Sequence, residues 1–184
     1  MKLAVFISGT GSNLKSLIDA QNSGFFESKI EIVVSNRNAP GLEFATENNI
    51  DYLVSKNEDE IIDVLKDKEI DLIVLAGYLV KISKKILDNF TVINIHPSLL
   101  PKYGGKGYYG LNVHKAVFAN KEKVSGVTVH YVNEKLDDGA IIQQKEVDIS
   151  KCKSPEEISK EVLKVEHQIL KEVVKKLEEE ECAH

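Results

Sequence analysis

The chain has 184 residues, of which 42% are hydrophobic and 29% charged, and its formal net charge is −5. This length suits one domain with a sizeable core, and the acidic balance argues against a nucleic acid partner. The two cysteines, Cys152 and Cys182, form neither a metal motif nor a disulfide framework, which suggests a reducing, cytoplasmic compartment. The apolar runs are too short for a signal peptide or a membrane span.

The first hundred residues alternate between strand-like and helix-like segments. Apolar runs predict short buried strands at Leu3–Ile7, Ile30–Val34, Tyr52–Val54, Leu72–Leu75 and Val92–Ile95. Amphipathic patterns predict helices at Asn13–Gln21, Gly41–Asn48, Glu58–Lys68 and Ser83–Asn89. This alternation favours a parallel sheet covered by helices on both faces, with ligands bound beyond the carboxyl ends of its strands.

The pattern changes after residue 100. Segment 101–110 is rich in glycine, aromatic and basic residues, which is typical of an active-site loop, and a helix is predicted at Leu111–Ala119. Alternating segments at Gly126–Val132 and Ala140–Val147 predict a hairpin, and a long helix should begin after the cap residue Ser154. We therefore expect residues 1–184 to form a single α/β domain.

The turn after the first strand, Ser8-Gly9-Thr10-Gly11-Ser12-Asn13, has the composition of an anion site. Its glycines and small hydroxyl residues allow backbone N–H groups to face an anion at the start of a helix. A tight turn with Ser12 as the helix cap explains the same residues about equally well. The location after the first strand favours the anion site.

Asn94 and His96 are the strongest candidates for chemistry. Side chains two residues apart on a strand point to the same side, and Pro97 ends the strand directly after them. Either residue alone is better explained as a structural amide or a loop histidine. Together they suit acyl transfer, because an amide can bind a developing oxyanion and an imidazole can move protons.

Two carboxylates could complete the site. A turn is predicted at Leu136-Asp137-Asp138-Gly139, with Asp138 as its turn residue. If this turn returns to the ends of the sheet strands, Asp137 would orient His96 and favour its imidazolium form. Glu166 shares the apolar face of the last helix, where it needs either a lysine partner or a substrate ammonium or amide.

These motifs together resemble the phosphoribosylglycinamide formyltransferase family of folate-dependent enzymes. The matching pieces are Ile7-Ser8-Gly9-Thr10-Gly11-Ser12-Asn13, Ser35-Asn36, Leu75-Ala76-Gly77-Tyr78, Asn94-Ile95-His96-Pro97-Ser98-Leu99-Leu100-Pro101, Leu136-Asp137-Asp138-Gly139 and Glu166-His167. They span nearly the whole chain in the family's order. The resemblance implies a seven-stranded, mostly parallel sheet with a Rossmann-like half at residues 1–100, which binds nucleotide phosphate, and a half at 101–184 that completes the folate and active site.

The resemblance also implies the reaction and the roles of individual residues. The formyl group of 10-formyltetrahydrofolate would pass to the amine of glycinamide ribonucleotide in purine synthesis, without a metal. Asn94 would donate to the oxyanion and contact the folate, His96 would act as general acid, and Asp137 would raise the pKa of His96. The remaining roles are Gly11, Ser12 and Asn13 for the ribonucleotide phosphate, Glu166 for the glycinamide end, Leu79, Val80, Lys81 and Ile82 for the folate pocket, and Lys56 as a loose candidate for the folate glutamate.

Other functions are compatible with parts of this pattern. A formyltransferase with a sugar-nucleotide acceptor and a non-catalytic folate- or nucleotide-binding protein are the alternatives. A methionyl-tRNA formyltransferase or a formyltetrahydrofolate deformylase would be expected to carry an additional domain. The expected partners are small molecules, with neither nucleic acid nor membrane, and the protein could be a monomer or a homodimer.

Overall fold

The computed structural model describes residues 1–183 and contains one mixed sheet. Its strands are β1 (Lys2–Ile7), β2 (Lys29–Ser35), β3 (Asp51–Val54), β4 (Leu72–Leu75), β5 (Thr91–His96), β6 (Val124–Tyr131) and β7 (Ile141–Asp148). The helices are α1 (Ser12–Asn22), α2 (Leu42–Glu47), α3 (Glu58–Asp67), α4 (Lys84–Leu87), α5 (Leu111–Ala119) and α6 (Pro155–Cys182). The predicted strands and helices are all present, with ends that differ by a few residues.

The strand order β3-β2-β1-β4-β5-β6-β7 explains where a site can form. Strands β1 to β5 are parallel, whereas β6 pairs antiparallel with β5 and β7 antiparallel with β6. Because β1 lies between β2 and β4, the order reverses there, and the carboxyl ends of β1 and β4 flank a crevice. The predicted α/β class and the mostly parallel, seven-stranded sheet are confirmed.

Two hydrophobic clusters cover the two faces of the sheet. One contains Leu3, Val5 and Ile7 of β1 together with α1 and α6, and the other contains Ala4 and Phe6 with α3 and α4. Alternate side chains of the same strand therefore enter different clusters, as expected for a strand buried on both faces.

One strand does not fit the prediction of buried strands. In β3, Tyr52 is 53% exposed and Val54 is 43% exposed, because this short strand lies at the edge of the sheet and is paired on one side only. Its apolar run therefore indicated a strand but not its burial.

The helix ends reflect local sequence. Ser154 accepts a hydrogen bond from the backbone N–H of Glu157 at 3.2 Å, so it caps α6 as predicted. At α1 the alternative with Ser12 as cap is wrong, because the cap position is Gly11, which has a φ of 74°. A Cβ on Gly11 would lie 2.8 Å from the Cα of Gly41, so the close approach of these two backbones requires glycine. Among residues 1–183, no helix is both long and apolar enough to cross a bilayer.

Candidate functional site

A cleft of about 600 Å³ lies beyond the carboxyl ends of β4 and β5. Four chain segments form most of its walls: Gly77–Ile82, Asn94–Pro97, Gly105–Leu111 and Lys135–Asp137. Asn13 of α1 and Glu166 of α6 also line it. The cleft therefore lies next to the crevice expected between β1 and β4, and the long loop after β5 and the β6–β7 connection form two of its walls.

Asn94 and His96 both face this cleft from the end of β5, as their spacing predicts. His96 is buried and Asn94 is half-buried. In the antiparallel register of β5 and β6, Asn94 lies opposite His130, and His96 lies opposite Thr128. Pairing with β6 therefore holds the end of β5 that carries both side chains.

The His96 ring is held by a hydrogen bond at one nitrogen and faces a carboxylate with the other. Its Nε2 lies 2.7 Å from the backbone carbonyl oxygen of Tyr103, and a carbonyl can only accept, so Nε2 carries a proton. Its Nδ1 lies 3.6 Å from Oδ2 of Asp137. Burial lowers the pKa of His96, and the opposing effects of Asp137 and the Tyr103 carbonyl do not overcome it. Asp137 raises the pKa of His96, as predicted, but desolvation lowers it by more, so the net shift is downward.

Asp137 is fixed by its own backbone and by the loop after β5. It has a φ of 52°, so Asp137 rather than Asp138 is the turn residue with left-handed backbone, which corrects the prediction. Its Oδ2 accepts a hydrogen bond from the backbone N–H of Gly105 at 2.8 Å. Burial alone would raise the pKa of Asp137, but contact with His130, the charge of His96 and the Gly105 N–H together lower it. The carboxylate is therefore ionised in the cleft at neutral pH.

Two histidines that the sequence did not single out also line the cleft. His130 is buried on β6, with its Nε2 3.2 Å from Nδ2 of Asn94 and 3.7 Å from Oδ1 of Asp137. His114 is buried on α5, and burial lowers its pKa to about 4, with a smaller contribution from His96. A signal existed for His130, because it alternates with Thr128 along the segment predicted as the first strand of the hairpin whose turn carries Asp137.

Asn13 and Glu166 form a polar pair at another wall of the cleft. Asn13 donates from Nδ2 to Oε2 of Glu166 at 2.8 Å, and both residues are buried. Burial raises the pKa of Glu166 by more than the Asn13 hydrogen bond lowers it. Glu166 is therefore paired with an amide and not with a lysine, and Oδ1 of Asn13 has no hydrogen-bond partner among residues 1–183. A ligand donor would satisfy that oxygen.

Some of the other predicted site residues line the cleft, and the rest lie outside it. Leu79, Val80, Lys81 and Ile82 line the cleft, and the N–H of Leu79 donates to Oγ of Ser8 at 2.9 Å, which ties this segment to the turn after β1. Gly11 and Ser12 are not part of the cleft wall; Ser12 faces a neighbouring depression beside His167. Lys56 is exposed after β3 and lies outside the cleft.

The described part of the chain contains no group of three or more histidine, cysteine or acidic side chains arranged to hold a metal ion. The cleft instead offers amide and imidazole nitrogens, one ionised carboxylate and several lysines at its wall, including Lys81, Lys106 and Lys135. Such a set can bind an anionic ligand, donate to an oxyanion and move a proton.

Comparisons with known proteins agree with this chemistry. The formyl transferase family model matches residues 1–174. Phosphoribosylglycinamide formyltransferase of Haemophilus influenzae is 41% identical over 186 residues, which cover 95% of this chain and 85% of that protein. The chloroplastic enzyme of Vigna unguiculata is 41% identical over 191 residues, which cover 97% of this chain. This chain spans only 61% of the length of that relative and 64% of the length of the chloroplastic enzyme of Arabidopsis thaliana.

Solved structures give the same picture. Glycinamide ribonucleotide transformylase 1 from Geobacillus kaustophilus matches with a TM-score of 0.87 and 33% identity, covering 96% of this chain and 97% of that one. The phosphoribosylglycinamide formyltransferase from Brucella melitensis matches with a TM-score of 0.84 and 32% identity, covering 96% and 94%.

Proposed function

This chain belongs to the formyl transferase family, and we propose that it transfers the formyl group of 10-formyltetrahydrofolate to the amine of glycinamide ribonucleotide in purine synthesis. The products would be formylglycinamide ribonucleotide and tetrahydrofolate. The observation that carries this proposal is the meeting of Asn94, His96 and Asp137 in one cleft, with Nδ1 of His96 3.6 Å from Asp137. The similarity to enzymes named for this reaction favours the acceptor.

Asn94 is the proposed donor to the formyl oxygen. When the substrate amine attacks the formyl carbon, the carbonyl oxygen gains negative charge, and an N–H from Nδ2 of Asn94 can stabilise it. The side chain is half-buried at the end of a paired strand, so its position is set before substrate arrives. Loss of such a donor typically raises the barrier by about 3–4 kcal/mol.

His96 is the proposed carrier of the proton. The attacking amine must lose one proton, and the departing folate nitrogen must gain one, so the reaction needs a shuttle and no net acid or base. Because burial keeps the His96 imidazole neutral at rest, its Nδ1 is free to accept a proton. The neighbouring Asp137 carboxylate stabilises the imidazolium until the proton passes to the folate nitrogen.

The two substrates would occupy different parts of the site, with the ribonucleotide phosphate reaching past the cleft wall to the turn after β1. The first turn of α1 has backbone N–H groups at Ser12 and Asn13 without helical partners, which suits the ribonucleotide phosphate held by Gly11, Ser12 and Asn13. Glu166 and Asn13 would bind the polar glycinamide end. The segment Leu79–Ile82, in which Leu79 and Val80 are exposed and Ile82 is buried, would line the folate pocket.

The test is turnover by the purified protein with 10-formyltetrahydrofolate and glycinamide ribonucleotide, followed by absorbance as tetrahydrofolate forms. We expect saturable turnover that disappears without the acceptor and is not supported by an amino-sugar nucleotide. His96→Ala should lower kcat much more than the affinity for either substrate. Binding of both substrates without turnover would contradict the enzymatic proposal, and turnover with the sugar nucleotide alone would contradict the acceptor.

A further inference from the structure

The tautomer of His130 is determined by the backbone next to it. Its Nδ1 lies 2.8 Å from the carbonyl oxygen of Tyr131, and because a carbonyl only accepts, Nδ1 carries the proton. In the neutral ring, Nε2 then has a lone pair and is an acceptor. This acceptor lies 3.2 Å from Nδ2 of Asn94 inside the cleft.

An acceptor at this position selects one of the two orientations of the Asn94 amide. With Nδ2 towards His130, one amide hydrogen is donated to Nε2 and the second N–H remains available to the cleft. With the amide reversed, the amide oxygen would face the lone pair of Nε2, and two acceptors would repel each other. With Nε2 as acceptor, His130 therefore holds the amide nitrogen, rather than the oxygen, at this position.

We propose that His130 is a positioning residue that orients the Asn94 amide so that its free N–H meets the oxyanion of the transferred formyl group. This inference rests on the proposed function for its chemistry. His130 touches neither reacting group in this role; it acts through Asn94. Its 2% exposure and its place opposite Asn94 in the β5–β6 register make the arrangement rigid.

Two titratable side chains, Asp137 and His96, lie near the His130 ring on other elements of the fold. Oδ1 of Asp137, in the β6–β7 connection, lies 3.7 Å from Nε2 of His130, and His96 of β5 lies across the same carboxylate. Nε2 of His130 therefore lies between the Asn94 amide and the Asp137 carboxylate, and it accepts from Asn94 only while it carries no proton.

Two variants separate orientation from structural support. His130→Leu removes the acceptor and keeps an apolar side chain in the buried position. His130→Gln keeps an uncharged acceptor, because its amide oxygen can take the place of Nε2. We expect His130→Leu to lower kcat by ~10-fold to ~100-fold, approaching the cost of losing an oxyanion donor, with KM changed less than ~3-fold. His130→Gln should restore most of kcat.

A double-mutant cycle with Asn94→Ala tests whether the effect passes through Asn94. If it does, the double variant Asn94→Ala/His130→Leu loses little more kcat than Asn94→Ala alone, because the group that His130 orients is already absent. Additive losses, or an equal rise in KM, would overturn the inference. Thermal unfolding of each variant shows whether folding has been lost.

An activity-independent measurement separates this inference from the proposed function. Long-range ¹H–¹⁵N NMR spectra of the wild-type protein should show His130 as the Nδ1–H tautomer and His96 as the Nε2–H tautomer. An Nε2–H tautomer at His130 would refute the positioning role even in an active enzyme. Lack of formyl transfer with the expected tautomer would refute the proposed function and leave the orientation of the amide established.

Discussion

Replacement of His114 should change how the stability of the protein depends on pH. This imidazole is 3% exposed on α5, its Nδ1 has no hydrogen-bond partner among the described residues, and burial lowers its pKa from 6.5 to about 4. The unfolded chain takes up a proton near pH 6.5, whereas the folded protein resists it until about pH 4. Stability from this group is therefore complete at neutral pH and is lost as the pH falls through that window.

The size of the effect follows from the two pKa values. Linkage gives a loss of about 0.2 kcal/mol at pH 7 and about 2 kcal/mol at pH 5, with a limit of about 3 kcal/mol below the folded pKa. His114→Leu removes the titrating group, and because Nδ1 has no partner, no hydrogen bond at that atom is broken. The variant should therefore gain about 2 kcal/mol relative to wild type between pH 7 and pH 5.

Urea unfolding at several pH values measures this difference directly. Taking the difference between the two proteins cancels the contributions of Asp137 and Glu166, which also titrate differently on folding. His167→Leu is a matched control, because that imidazole is half-buried and its lowered pKa should give a weaker trend of the same sign. An unchanged difference in unfolding free energy from pH 7 to pH 5 would show that burial does not keep His114 neutral.

Three further substitutions test two side chains of the site and the close packing of Gly139 against β6. Asn94→Ala should lower kcat by ~100-fold to ~1000-fold with little change in KM, and a proportional rise in KM under steady-state assay would mean that it only binds substrate. Asp137→Asn removes the charge that partly offsets burial, so the pKa of His96 should fall further in an NMR titration; a rise would contradict the assigned contact. Gly139→Ala would place a Cβ against the backbone oxygen of Tyr131 in β6, so it should lower the free energy of unfolding by ~3 kcal/mol or more. Gly9→Ala is the control, because there is open space around Gly9, and this variant should unfold near the wild-type temperature.

The sequence predicted the fold well because the strands are apolar runs separated by amphipathic helices. Leu72–Leu75 and Leu111–Ala119 have the predicted limits. What could not be predicted was exposure at the sheet edge, since β3 has the same apolar run whether it is paired on one side or two. Strand order is a property of the whole chain, and local periodicity carries no information about it.

The site was predictable to the extent that it depends on one strand. The two-residue spacing of Asn94 and His96 places both in the cleft from β5 alone. His130 depends on the antiparallel register with β6, and the proton on His96 Nε2 depends on a carbonyl in the following loop. The direction of the His96 pKa depends on how deeply the ring is buried, which the order of residues does not reveal.

Near Asp137, burial disfavours the imidazolium form of His96, whereas the Asp137 carboxylate favours it. Each of the two imidazoles, His96 and His130, has its far N–H held by a backbone carbonyl, so only the near nitrogen faces the carboxylate. That near nitrogen lies 3.6 Å from Asp137 in one ring and 3.7 Å in the other. A single carboxylate can balance only one imidazolium, so a second protonated ring would meet repulsion. In the proposed arrangement Nε2 of His130 accepts from Asn94, so His96 is the ring that takes the proton from the attacking amine and passes it to the folate nitrogen.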